Sequence, residues 1–237
     1  YFRRNHQRYL KFWAFALLAM TLSQGSAALI SYNYQLVQTS ITHNLLIYLK
    51  QLMHYVFIAL LVLGTFEALR PNRVRRNMVL YVIVCCVSLA ALMPLLYGFE
   101  QGAVFSRFYV GVSLPSFILG CGFIFLSSFL FTSGQLHFSA RLLLNLSLLA
   151  GCRYLLFSFL SIMAVTEDWF RLLSHQLVYV DLVIYMFLGF VMLIWLHGAE
   201  QNAAETAINR AKYLGKHDSL TGALNREQVF QKLANAI

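Results

Sequence analysis

Residues 173–197 read LSHQLVYVDLVIYMFLGFVMLIWLH, a run in which Asp181 is the one acidic residue and neither lysine nor arginine occurs. A helix needs about 20 mostly apolar residues to cross roughly 30 Å of hydrocarbon, so this run predicts a membrane span. The sequence directly after it, GAEQNAAETAINRAKYLGK (198–216), is polar, alanine-rich and free of proline. The pattern therefore predicts one continuous helix that leaves the membrane and extends into the cytoplasm.

Five further stretches upstream have the same apolar character. The six predicted spans are 12–34, 45–69, 78–98, 107–132, 141–165 and 173–197. Of the 237 residues, 59% are hydrophobic and only 11% are charged, whereas soluble domains carry about 25% charged residues. This composition excludes a water-soluble globular enzyme, and the abundance of phenylalanine and tyrosine excludes a disordered chain. We predict an all-α fold, a polytopic membrane helical bundle.

The positive charges alternate between the segments that join these spans, and short loops rich in lysine and arginine stay on the cytoplasmic side. One set of segments contains Arg3, Arg4, Arg8, Lys11, Arg70, Arg73, Arg75, Arg76, Arg141, Arg210, Lys212, Lys216, Arg226 and Lys232. The other set contains only Arg107 and Arg171. The pattern predicts that both termini are cytoplasmic. It attributes the net charge of +9 to topology and contact with the lipid bilayer, with no nucleic acid as a partner.

Several polar side chains lie inside the predicted spans. With about 1.5 Å of rise per residue, Gln24, His54, Ser116, Arg153 and Asp181 fall at a similar depth in the outer half of the membrane. Ionisable side chains at such a depth are costly unless they are paired, and they are therefore candidates for function. The sequence predicts a ligand pocket at this level.

Two interpretations of these residues stay open. In the first, Arg153 or Lys50 binds an anionic group of a small-molecule stimulus and His54 senses or contacts it. In the second, Arg153 and Asp181 form an ion pair between neighbouring helices, His54 bonds to a nearby polar group, and Lys50 extends to the membrane surface. Haem bound by His54 and His175 is disfavoured because their depths differ.

The four cysteines lie inside predicted spans, where they behave as small apolar residues. They are Cys85, Cys86, Cys121 and Cys152. Their spacing is not that of a metal site, so we expect no metal and no cofactor in this sequence.

The polar helix 198–216 contains apolar residues at four-then-three spacing, the pattern of a coiled-coil seam. Ala204, Ile208 and Ala211 have this spacing, and Leu214 follows three residues later. This spacing predicts a homodimer formed through the linker, to which membrane helices can add. A single amphipathic helix lying on its own membrane domain is the alternative.

The last segment, 217–237, carries a recognisable motif. Residues 218–226 read DSLTGALNR, and Phe230 follows four residues later. This run resembles the D-x-L-T-G-x-x-N-R-x-x-x-F motif at the start of GGDEF domains, the diguanylate cyclase family. The resemblance implies that the matching residues form a signalling joint between linker and catalytic domain. These residues are Asp218, Leu220, Thr221, Gly222, Asn225 and Arg226.

The resemblance also implies a domain organisation and a function. We expect a transmembrane sensor domain over 1–197, a signalling helix over 198–216 and the start of a GGDEF domain over 217–237, in a piece of a longer chain. The arrangement is similar to bacterial membrane-associated sensor (MASE-like) proteins and to seven-transmembrane receptors with intracellular signalling modules. It implies location in a bacterial inner membrane and control of cyclic di-GMP synthesis from two GTP, with GTP and Mg used by a catalytic domain beyond residue 237.

Two alternatives are kept. In the first, the domain after residue 237 is a degenerate GGDEF domain, or a GGDEF domain joined to a phosphodiesterase. Such a protein would bind or hydrolyse cyclic di-GMP. The membrane part can instead be a transporter or channel, although no internal repeat and no pair of proline- or glycine-broken spans favours it. No catalytic residue is expected in this sequence.

Overall fold

The computed structural model describes the backbone of 2–32, 41–97, 109–134, 137–163, 167–216, 223, 225 and 229–230. Within these ranges it describes the side chains except those of 2–7, 31–32, 41–44, 93–97, 110, 168, 171–172, 174–175 and 216.

The described elements are all helices. They are α1 (Phe2–Tyr32), α2 (Ile41–Leu69), α3 (Arg76–Tyr97), a π-helical turn (Tyr109–Ser113), α4 (Leu114–Thr132), α5 (Phe138–Met163) and α6 (Asp168–Lys216). Five stretches of the described residues are long and apolar enough to cross a membrane: Arg8–Ile30, Leu45–Leu69, Gly111–Thr132, Phe138–Met163 and Gln176–Gly215. A shorter apolar stretch, Arg76–Leu92, lies in α3. The prediction of an all-helical chain with several helices that could cross a membrane is therefore confirmed.

The outward-facing surfaces of the helices carry large apolar side chains. Phe131 is 70% exposed, Leu149 61% and Leu193 62%, and many other large apolar side chains are exposed beside them. Soluble monomers rarely expose apolar surface on this scale. Serines, in contrast, are buried between the helices, among them Ser23, Ser127 and Ser147. Small residues at helix contacts and apolar residues outside are typical of helices packed in lipid.

Glycines allow close contacts between helices. A Cβ atom added to Gly151 of α5 would lie 2.8 Å from the side chain and 3.1 Å from the backbone nitrogen of Ile124 in α4. A Cβ on Gly120 of α4 would lie equally close to Leu155 of α5, at 2.7 Å. The α4–α5 contact is thus reciprocal and depends on the absence of side chains at both glycines.

The loop between α2 and α3 is organised by a buried carboxylate. Glu67 is 2% exposed, and its two oxygens accept the backbone N–H groups of Asn72 (3.0 Å) and Val74 (3.1 Å). Asn72 has a positive φ of 63°, a conformation that asparagine tolerates better than most residues. Arg8 of α1 lies 3.9 Å from the same carboxylate. Glu67 was not predicted from the sequence, although a carboxylate two residues before the end of a predicted span was a usable signal.

The chain divides into two units, Tyr1–Val191 and Met192–Ile237. The first contains the packed helices, in which α1 contacts α2, α2 contacts α3 and α4, and α4 contacts α5. The second consists of the C-terminal part of α6 and the residues after it. Since α6 is helical from Asp168 to Lys216, the predicted continuity of the last span and the linker is confirmed.

Candidate functional site

A cavity of about 570 Å³ lies among the helices of the first unit. Its walls come from α1, α2, the π-helical turn, α4, α5 and α6. All five residues of the predicted ligand pocket line it: Gln24, Lys50, His54, Arg153 and Asp181. Ser116, which the sequence placed at the same depth, also lines it. The structure therefore brings these residues together, and their role in binding a ligand stays a prediction.

Arg153 of α5 and Asp181 of α6 form an ion pair, with Nη2 and Oδ2 2.9 Å apart. The side chains are 13% and 15% exposed, respectively. The same Nη2 atom donates to the carbonyl of Leu177 at 3.2 Å, one turn before Asp181 on α6. Because one guanidinium nitrogen is bound to both a carboxylate and a carbonyl of α6, Arg153 holds α5 and α6 in register. The interhelical ion pair predicted from the sequence is present.

Two aromatic rings contact the guanidinium of Arg153. Its Cζ atom lies 4.4 Å from the centre of the Tyr154 ring and 5.4 Å from that of Phe157. The Tyr154 hydroxyl is hydrogen-bonded to the Tyr185 hydroxyl of α6. Contacts of a cation with ring faces are each worth about 0.5–2 kcal/mol. The guanidinium of Arg153 therefore contacts a carboxylate, a carbonyl and two rings, and these contacts restrict its movement.

These aromatic residues also connect the site with the core. Phe123 of α4 is fully buried and stacks on Tyr154 at a centroid distance of 6.0 Å. Phe57 of α2 meets the Tyr185 ring edge to face at 5.5 Å. Tyr154 and Tyr185 were not predicted from the sequence. Their signal was positional, since Tyr154 follows Arg153 directly and Tyr185 lies one turn after Asp181.

Helix α2 also contributes to the cavity wall, and on it Lys50 and His54 are one turn apart. The backbone carbonyl of Lys50 accepts a hydrogen bond from Ser23 of α1 at 2.9 Å, which fixes this turn against α1. The Lys50 side chain is partly buried. Among the described residues, no carboxylate lies within ion-pair distance of its ammonium group. Lys50 thus differs from Arg153, whose charge is neutralised by Asp181.

Gln51 lies beside these residues and is almost fully buried, with 1% of its surface exposed. Its amide nitrogen donates a long hydrogen bond of 3.4 Å to the carbonyl of Gly111 in the π-helical turn. Its Oε1 atom has no partner among the described residues. The same holds for Nε of Arg153 and Oδ1 of Asp181. Buried polar atoms are normally hydrogen-bonded, so these three atoms on residues that line the cavity are available to a polar partner.

The π-helical turn brings Gly111 and Val112 to the cavity wall. The turn is fixed to α5 by serines: Ser113 and Ser161 are hydrogen-bonded at 2.6 Å, and Ser158 donates to the carbonyl of Ser113 at 2.9 Å. Single π-helical turns occur frequently at functional sites. The sequence predicted an ordinary helix over 107–132, because hydropathy does not register a change in hydrogen-bond pattern.

A second cavity, of about 510 Å³, is lined by Phe66, Arg70, Pro71 and Arg73 near the α2–α3 loop. The guanidinium of Arg70 lies 5.9 Å from the Phe66 ring centre and 5.7 Å from that of Phe129. None of the predicted pocket residues lines this second cavity.

The residue types that bind metal ions are not grouped in the described part of the chain. No set of three His, Cys, Asp or Glu residues there is placed to bind a metal ion, and the side chain of His175 is outside the described residues. The four cysteines are free thiols on helices, with Cys86 buried and the other three exposed.

The linker residues Ala204, Ile208, Ala211 and Leu214 are all exposed on α6. Of the predicted signalling joint, Asp218, Leu220, Thr221, Gly222 and Arg226 lie outside the described residues. Asn225 is described, and its side-chain amide donates to the carbonyl of Gly215. This hydrogen bond satisfies a carbonyl in the last turn of α6.

Comparison with protein-family models, curated proteins and solved structures gives no match to this chain.

Proposed function

We propose that this chain is the membrane input module of a bacterial signalling protein whose output is a GGDEF domain that makes cyclic di-GMP. The observation that carries the proposal is the motif at 218–230 immediately after a helix that also contains a residue of the cavity. Asp181 lines the cavity, and the same helix continues to Lys216. A change at the cavity that moves α6 has a direct covalent route to the joint.

The proposed topology has six spans and cytoplasmic termini in the inner membrane. It rests on the alternation of lysine and arginine, which occur in the α2–α3 loop and again after Leu196. Under this topology Lys50 and His54 lie near the outer end of α2. The cavity then belongs to the outer half of the membrane, and a stimulus reaches it from the periplasm or from the outer leaflet.

The proposed coupling uses a homodimer. Cyclic di-GMP synthesis from two GTP requires two loaded active sites that face each other, so the geometry of the dimer controls the rate. The exposed seam residues Ile208 and Leu214, each 53% exposed, supply apolar surface for pairing of two linker helices. The hydrogen bond from Asn225 to Gly215 supports the idea that rotation of α6 is transmitted to the segment after it.

The first test uses the full-length protein in membranes, incubated with GTP and Mg and analysed by chromatography. Formation of cyclic di-GMP is expected. Hydrolysis of added cyclic di-GMP, or its binding without synthesis, would replace the cyclase by a phosphodiesterase or an effector. Uptake of a solute into proteoliposomes without any effect on nucleotide would favour a transporter.

The coupling has a separate test in the linker. Insertion of one alanine after Ala207 turns the following helix by about 100° relative to the preceding one, whereas insertion of seven residues restores the phase to within about 20°. We expect the first insertion to change cyclase activity and the second to restore the wild-type response. Equal activity of both insertions and the wild type would contradict transmission through α6.

A further inference from the structure

The cavity walls carry an unbalanced charge. Among the described lining residues, Lys50 and Arg153 are basic and Asp181 is acidic. With His54 counted as neutral, the sum is one positive charge. Because Asp181 neutralises Arg153 at 2.9 Å, the excess is located at Lys50. An uncompensated charge away from water is unfavourable, so the occupant that best fits these walls carries one negative charge.

The positions of the two cations assign them different roles. Arg153 is fixed by Asp181, by the carbonyl of Leu177 and by the rings of Tyr154 and Phe157. Lys50 has no such partner among the described residues and has a flexible side chain with three donors. Lys50 is therefore the group free to bind an anion, and Arg153 is a positioning residue that shapes the wall and holds α5 to α6.

The remainder of the wall is suited to an apolar body. Leu119 is buried, and Val112 and Phe157 are partly buried along the cavity. Pockets of about 300–1,000 Å³ with mostly apolar walls and a few polar groups are typical of sites for small organic molecules. The volume of about 570 Å³ falls within this range, and it exceeds what an inorganic anion requires.

We infer that this cavity binds a monoanionic amphiphile, with its anionic group at the ammonium of Lys50 and its apolar body along Val112, Leu119 and Phe157. The unbonded atoms of Gln51, Arg153 and Asp181 provide further positions for polar groups of the ligand or for water. The inference deepens the proposed function and rests on it only for the ligand's role as the stimulus. Binding itself does not require a GGDEF domain.

The test uses the protein in nanodiscs of phosphatidylcholine and four probes with the same trifluoromethylphenyl body, followed by fluorine NMR. The probes are a carboxylate, a primary amide, a methylamine and a phosphonate, which carry one negative charge, none, one positive charge and up to two negative charges. Empty nanodiscs give the partition into lipid. We expect the carboxylate to bind about tenfold more tightly than the amide, the scale of one buried charge contact.

Matched variants locate the anion. Lys50→Met keeps the length of the side chain and removes its charge, so we expect it to abolish the preference for the carboxylate over the amide. Lys50→Arg retains the preference. Lys11→Met, at an exposed position of α1, leaves it unchanged. Size-exclusion profiles show whether each variant is folded. The comparison of the four probes on the wild-type protein does not depend on the variants.

Equal binding of carboxylate and amide, preference for the methylamine or the phosphonate, or no binding of any probe to the wild type would overturn the inference. If added phosphatidylglycerol displaces the bound carboxylate, the natural ligand is an anionic lipid headgroup. If it does not, the ligand is a free monoanion. Carboxylate binding without cyclase activity would sustain this inference and remove the proposed function, and cyclase activity without binding would do the reverse.

Discussion

Among the described residues, the carboxylates of Glu67 and Asp181 have little exposed surface, and they are satisfied in different ways. Glu67 receives two backbone N–H groups, one on each oxygen. Asp181 pairs with Arg153 through Oδ2, while its Oδ1 atom has no partner among the described residues. The first arrangement fixes a loop and leaves nothing to bind. The second leaves polar atoms unbonded beside a cavity. Complete satisfaction of a buried carboxylate thus indicates a structural role, and incomplete satisfaction next to space indicates a site.

The largest effect is expected from breaking the ion pair. Arg153→Met leaves Asp181 as a buried carboxylate without its cation, so we expect a loss of about 3 kcal/mol in the free energy of unfolding. The double variant Arg153→Met/Asp181→Leu removes both charges and should recover most of this loss. Steric trapping in bicelles measures these values. A single variant as stable as the wild type would show that the pair does not stabilise the contact between α5 and α6.

The next effect tests the carboxylate of the α2–α3 loop. In Glu67→Gln, the amide group must face a backbone N–H in place of an accepting oxygen, so we expect a loss of about 2 kcal/mol. Glu200→Gln on the exposed part of α6 is the control and should be neutral. Thermal unfolding followed by size exclusion compares the two. Equal melting of Glu67→Gln and the control would remove the distinction drawn between Glu67 and Asp181.

The wall that carries Arg153 depends on Gly151, two residues earlier on α5. Gly151→Ala places a methyl group against Ile124, including its backbone nitrogen, and we expect a loss of about 1–2 kcal/mol. Gly189→Ala is the matched control, because a Cβ there meets nothing within 4 Å. Its helix propensity should make that variant up to about 1 kcal/mol more stable. Opposite signs of the two changes, measured by steric trapping, would confirm that close packing positions this wall.

The smallest effect concerns Lys50 in the absence of ligand. If its charge is uncompensated, Lys50→Met should raise stability by about 1 kcal/mol, a part of the cost of a cation away from water. Lys11→Met should change nothing. If the Lys50 ammonium group reaches the membrane surface, Lys50→Met and Lys11→Met should show the same thermal unfolding. That result would mean that the cavity carries no excess charge.

Much of this arrangement could be predicted from the sequence, and the reasons are physical. Hydropathy located the helices, because the length of a span is set by the membrane. Counting rise along the helices placed Gln24, His54, Arg153 and Asp181 at one level, and the structure places them around one cavity. The rotation of each helix about its axis depends on packing, which hydropathy does not encode. Gln51, Tyr154 and Tyr185 were missed for that reason.

Irregular backbone was the second source of error. The π-helical turn at Tyr109–Ser113 and the hydrogen bonds from the α2–α3 loop to Glu67 involve single backbone groups, and no periodic pattern records them. The signalling joint stays a prediction, since most of its residues lie outside the described part of the chain.

The glycine contacts have a consequence for biosynthesis. Gly64 of α2 meets Trp13 of α1, and Gly120 and Gly151 join α4 to α5, so each of these pairs links helices that are consecutive among the long ones. Such pairs can form as helical hairpins while the ribosome is still adding the next helix. Gly122 against Ile58 joins α4 to α2 across a longer stretch of chain. We therefore expect a force profile of the nascent chain to show α1–α2 assembly first, with the cavity completed only after α6 has been inserted.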